Sequence, residues 1–196
     1  EKVKDKKCVS MILLLFSVVI FSVLVLSNSI AARVRWNFET ERDIALLESN
    51  VLGKAKVSVG LADKAAEGEN SLFIEYNLPD TIGIFCLSWN FIPFAENWNP
   101  FEGFSVWVYG DGSGNYLAFR FLTDMYSSTT EKGWRIDWIG WKKLYVSFKD
   151  AEPLSEFTWG RITGVEILGR NPGNGSKDLS VIYIDEFSLL TEISPK

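Results

Sequence analysis

Between Val34 and Leu190 apolar and polar residues alternate in short runs, with the period of two that a pleated strand imposes. The pattern predicts strands over Val34 to Phe38, Lys56 to Val59, Ser71 to Tyr76, Gly83 to Phe91, Phe104 to Tyr109, Tyr116 to Leu122, Trp134 to Trp138, Leu144 to Phe148, Gly164 to Leu168 and Val181 to Leu189. Turn-forming clusters separate them: Gly68-Glu69-Asn70, Pro79-Asp80, Asn99-Pro100, Glu131-Lys132-Gly133 and Asn171-Pro172-Gly173-Asn174-Gly175. A helical period appears only over Asp43 to Asn50, enough for a turn or two. Roughly ten short strands with such turns predict an all-β jelly-roll sandwich of two antiparallel sheets.

The run Trp107 to Phe121, WVYGDGSGNYLAFRF, carries the most chemistry. Phe104, Val106 and Val108 share one face of a strand, and Leu117, Phe119 and Phe121 share one face of the next. A hairpin through Gly110 to Asn115 would pair Val108 with Leu117, Val106 with Phe119 and Phe104 with Phe121. That register would gather Trp107, Tyr109, Ala118 and Arg120 on the other face, an aromatic surface with a charged fork beside it. In Trp134-Arg135-Ile136-Asp137-Trp138 the aromatic and aliphatic residues share one parity. Arg135 and Asp137 share the other, as ligand groups or as a surface ion pair.

Lys2, Lys4, Lys6 and Lys7 precede an uncharged stretch from Met11 to Leu26, followed by the small residues of Ser29-Ile30-Ala31. Residues 1–31 therefore read as a signal peptide or an uncleaved anchor, and 32–196 as the sandwich domain of an exported, extracellular or cell-surface protein. The first 31 residues carry four Lys against one Glu and one Asp, so the remainder is two charges more negative than the whole chain at −5. That balance argues against nucleic acid and anionic membranes as partners. Beyond residue 31 only Cys86 remains, which excludes an intrachain disulfide framework. The complete absence of histidine removes Ser-His-Asp and Cys-His catalysis and histidine-ligated zinc.

The segments WNFET, GENSLFIEY, FEGFSVWVYGDGSGNYLAFRF, WRIDWIGWKKLYVSF and IYIDEFSLL, in this order, resemble a jelly-roll carbohydrate-binding module. The nearest pattern is that of the family 11 glucan-binding modules, and it is also similar to the galactose-binding-like domain of complex I intermediate-associated protein 30. The resemblance covers residues 34 to 190. It implies a non-catalytic sandwich whose concave sheet holds an extended β-glucan, with aromatic, Arg and Asp residues along the groove and structural calcium at an edge.

Sugar rings stack on aromatic faces, and their hydroxyls take bidentate partners. Trp107, Tyr109, Arg120, Asp124, Tyr126, Arg135 and Asp137 fit those roles, and Trp141 fits a core position. Acids near the two ends of the domain, Glu39 and Asp185, correspond to positions where similar modules carry a calcium ligand. With carbonyls of the loop Asp63 to Asn70 they would form an oxygen cage for Ca²⁺; the alternative is a pair of solvated strand-end charges. Two other functions stand beside polysaccharide binding. One is an assembly domain of the same fold with cell-surface protein partners. The other is a small glycoside hydrolase using a carboxylate pair, although the Glu-x-Asp-x-x-Glu strand motif of laminarinase-like jelly rolls is missing.

Overall fold

The structure, a computed structural model, describes residues 32–91, 94–123, 128–129, 131–151 and 157–192. The unit Val34–Lys196 is a two-layer sandwich. Its elements are β1 (Ala32–Trp36), the short helix α1 (Glu41–Ile44), β2 (Leu47–Leu52), β3 (Lys56–Ala62), β4 (Ser71–Asn77), β5 (Ile84–Asn90), β6 (Gly103–Asp111), β7 (Tyr116–Leu122), β8 (Lys132–Arg135), β9 (Ile139–Ser147), β10 (Gly164–Arg170) and β11 (Ser180–Leu190). One sheet has the order β3-β4-β11-β6-β9, with β1 paired to β11; the other runs β2-β5-β10-β7-β8. The neighbouring strands within each of these two orders are antiparallel. Among the described residues no helix is long and apolar enough to cross a membrane.

The expected hairpin between β6 and β7 does not form. β6 pairs with β11 and β9 in one sheet, whereas β7 pairs with β10 and β8 in the other. The apolar sets still meet, but across the core: Phe104 lies 5.3 Å from both Phe119 and Phe121, ring to ring. Period-two alternation states which residues share a face, but not whether two faces meet edge to edge or layer to layer. The loop Gly110 to Asn115 is thus a crossing between layers. Gly112 and Gly114 adopt φ of +70°, and Asp111 holds the loop by accepting the N–H groups of Ser113 and Val181.

Phe104, Phe119, Phe121, Phe148, Phe187 and Trp98 form one aromatic cluster between the sheets. A bulge between Asp185 and Ser188 changes the parity of β11. Ile182 and Ile184 face the core before it, and Phe187 and Leu189 after it, with Glu186 absorbing the irregularity at φ +41°.

Two further expectations are corrected. Of the segment Asp43 to Asn50, only Asp43 and Ile44 are helical, at the end of α1; the edge strand β2 follows, which alternation could not reveal because Glu48 to Leu52 are all exposed. Trp141 is not a core residue: it opposes Tyr109 on the outer face of the first sheet. Ile136 is buried and Trp134 and Trp138 pack on the core, so the parity read in that segment holds.

Candidate functional site

Because β6 and β7 lie in different layers, the residues expected to form one groove are divided between the two outer faces. Trp107 and Tyr109 point outward from the six-stranded sheet. Register places Phe73, Tyr183, Tyr109 and Trp141 in one row across four strands, with Asp185, Trp107 and Lys143 in the next. Neighbouring rings of the first row meet at 5.5 to 5.8 Å, the last two contacts being edge to face. The Lys64 ammonium sits over Tyr109 at 3.2 Å and over Tyr183 at 4.5 Å, and Lys143 lies over Trp107 at 5.3 Å. These rings are already in contact with one another and with cations.

Arg120 points from the outer face of the five-stranded sheet, on the other side of the molecule. Register sets Glu48, Ser88, Glu166 and Arg120 side by side on four adjacent strands. Both Nε and Nη2 of Arg120 lie 2.5 Å from Glu166 Oε2, Ser88 donates to Glu166 Oε1 at 3.3 Å, and Asn90 donates to Glu48 at 3.3 Å. The next row, Asn50, Cys86, Leu168, Ala118 and Gly133, is mostly small or apolar. A third row holds Leu52, Ile84, Arg170, Tyr116 and Arg135. In it the Arg170 guanidinium lies 4.7 Å from the Tyr116 ring and pairs with Glu131 at 3.0 Å. Two rows that carry arginines therefore flank a row that carries no charge. Burial raises the Cys86 thiol above its usual range, which makes it a packing group rather than a nucleophile.

Arg135 and Asp137 are both exposed. Arg135 closes the third row beside Gly114, while Asp137 lies beyond the end of β8. Asp124 and Tyr126 lie outside the described residues. Glu48, Ser88, Asn90, Tyr116 and Glu166 were missed; a signal was present for Ser88 in Phe85-Cys86-Leu87-Ser88-Trp89, which alternates fully, and for Glu166 as the single acid of Val165-Glu166-Ile167-Leu168.

Glu39 and Asp185 converge on the loop after β3. Asp185, fully buried, accepts the N–H groups of Ala66 and Glu67 at 2.9 Å and of Glu186 at 2.7 Å. Glu39 accepts those of Glu69 and Asn70 at 3.1 to 3.2 Å. Gly68, at φ +71°, has no room for a side chain because Glu39 occupies the space a Cβ would take. Burial pushes the Asp185 carboxyl upward, the three N–H groups draw it back, and the Glu39 charge adds to the rise. At the crossing loop the Tyr76 hydroxyl, 3.0 Å from Ser113 and 3.4 Å from Asp111, is pushed up to about 12 by burial and then by the Asp111 charge.

Comparison with solved structures matches this arrangement of layers. The family 11 carbohydrate-binding module from Clostridium thermocellum in complex with a beta-1,3-1,4-mixed-linked tetrasaccharide superposes with a TM-score of 0.65 at 14% identity, covering 83% of this chain and 97% of that one. The fold is that of the family 11 modules. The family 11 module of a cellulosomal cellulase of the same organism gives a TM-score of 0.64 at 12% identity, over 86% of this chain and 99% of that one. A family 27 module described for specific mannan recognition gives 0.56 at 11%, over 83% and 99%. No family model and no curated protein matches the sequence. The family 11-like sandwich that the order of segments suggested is thus matched in three dimensions at 11 to 14% identity.

Proposed function

We propose that the outer face of the five-stranded sheet binds a polysaccharide chain of the β-glucan class without cleaving it. The observation that carries this reading is the row Glu48, Ser88, Glu166 and Arg120, which presents acceptors and donors side by side on four strands. Three strand spacings of about 4.8 Å make such a row roughly 14 Å long, the scale of an oligosaccharide rather than one sugar. The row beside it is mostly small or apolar, as a surface for the C–H faces of pyranose rings would be. Arg120 grips Glu166 through both Nε and Nη2, so the row presents an arginine-held acid of the kind that recognition sites use. A solved module of this fold in complex with a mixed-linked tetrasaccharide, and another described for mannan recognition, support a polysaccharide ligand.

The test is calorimetric titration of the chain with soluble mixed-linkage β-glucan, with mannan and xylan for comparison. Saturable heat that disappears in Arg120→Ala supports the reading. Absence of heat with every glycan overturns it and favours a protein-binding role; release of reducing ends overturns the non-catalytic part.

The proposal places this function outside the cell, a reading supported by the lysine-led apolar segment of residues 1–31. It also includes Ca²⁺ at Glu39 and Asp185. In support, the two acids share one loop and no Lys or Arg among the described residues pairs with either; their oxygens accept five backbone N–H groups, some of which an ion would displace. A divalent ion would relieve their mutual repulsion, with loop carbonyls as further ligands. A melting temperature that falls on chelation is the expected result; an unchanged one removes calcium from the account.

A further inference from the structure

The polar row ends next to a pocket. Asn90, which holds Glu48 at the head of the row, also lines a cavity of about 420 Å³ between β1, α1 and the end of β5, within the size range of small-ligand sites. Its floor is apolar. Trp36 and Trp89 are stacked at 5.0 Å, Phe91 lies 5.7 Å from Trp36, and Ala45 and Leu46 form the rim, with Leu46 71% exposed.

Two arginines line this cavity in a chain whose net charge is −5. Arg35 is committed: it bonds Glu96 through Nη2 at 2.7 Å and Nε at 3.2 Å, and its guanidinium lies over Trp36 and Phe91. Arg42 is exposed and forms no ion pair with any described carboxylate. Asp43, the acid beside it, turns its carboxylate to the Thr40 N–H and hydroxyl instead, and its carbonyl accepts the Trp89 indole. The pocket thus combines an apolar wall for a ring, an amide for a hydroxyl, and one uncommitted guanidinium, whose planar fork fits a carboxylate.

We propose that this pocket holds the terminal pyranose of a glycan and that the preferred terminal sugar is a uronic acid, with its carboxylate on Arg42. Ala45 and Leu46 take the C–H face of the ring, and Asn90 meets a hydroxyl. The inference rests on reading the molecule as a glycan binder. It makes the pocket a chain-end subsite beside a face that holds internal sugars.

The experiment is titration of the 196-residue chain with methyl β-glucuronide and methyl β-glucoside, followed by indole side-chain signals in NMR spectra. Three variants are carried in parallel: Arg42→Gln, Arg42→Lys and Arg120→Ala. The expected result is saturable binding of the glucuronide about tenfold or more tighter than the glucoside. Arg42→Gln removes that preference, Arg42→Lys partly keeps it, and Arg120→Ala leaves it unchanged. Equal binding of the two glycosides, a preference indifferent to Arg42→Gln, or saturation with neither glycoside overturns the proposal. Polysaccharide binding lost in Arg120→Ala with no glucuronide in the pocket overturns this inference alone. Glucuronide binding without polysaccharide binding upholds the pocket and overturns the reading of the face.

Discussion

The two outer faces of this sandwich use similar backbone and opposite chemistry. On the six-stranded sheet, aromatic rings pack edge to face under Lys64 and Lys143, so their surfaces are already occupied. On the five-stranded sheet there are fewer rings, but charged and hydroxyl groups are aligned across four strands. The difference teaches that one sandwich can segregate its ring contacts to one face and its aligned hydrogen-bonding groups to the other, and the proposed glycan site is on the second.

The strongest way to break the comparison is through the core that both faces share. Phe104→Ala removes the ring between Phe119, Phe121 and Phe187, and should cost about 3–5 kcal/mol in denaturant unfolding, disabling both faces together. Gly68→Ala acts on one side only. With Glu39 in the space of the new methyl and φ at +71°, it should cost about 1–3 kcal/mol. Glucan affinity of the folded fraction should not change, and a parallel loss of affinity would show that the faces are coupled.

Arg120→Ala should weaken glucan binding about tenfold or more, since charge-assisted hydrogen bonds to a ligand are each worth about 1.5–3 kcal/mol. Trp107→Ala should change affinity less than about twofold. The reverse ranking in the same titration would transfer the site to the aromatic face.

The smallest effect concerns pH. Asp185 has a folded pKa raised above its ordinary 3.8, so the native state binds the proton more tightly than the unfolded one. Its contribution is therefore most favourable below 3.8 and declines as pH rises through the raised value. Melting temperatures of the chelated protein should show this decline, and Asp185→Asn should remove it. Added Ca²⁺ should raise the melting temperature only on the high-pH side of that window.

Much of the fold was legible in the sequence because burial on one side forces alternation. Tyr116 to Leu122 matches β7 at both ends, and β4, β5, β10 and β11 agree within a few residues. β2 was not legible because its outward and inward positions are nearly all exposed. Nor was the partner of β6: Phe104, Val106 and Val108 would bury equally well in a hairpin or across a sandwich, and only the whole set of strands decides. That single ambiguity divided the expected groove. It placed Arg120 beside Glu166, 46 positions away in the chain, instead of beside Trp107. Parity did indicate that Arg135 would point away from the core, because Trp134 and Ile136 fix the neighbouring side chains inward.

The central claim is that the glycan lies on the five-stranded sheet. The most direct test is chemical-shift mapping of the assigned backbone during titration with a mixed-linkage β-glucan tetrasaccharide. The account predicts that the shifts cluster at Glu48, Ser88, Tyr116, Arg120 and Glu166, with Trp107, Tyr109 and Tyr183 unmoved. Shifts centred on Tyr109 and Trp107, or no shifts at saturating sugar, would contradict it.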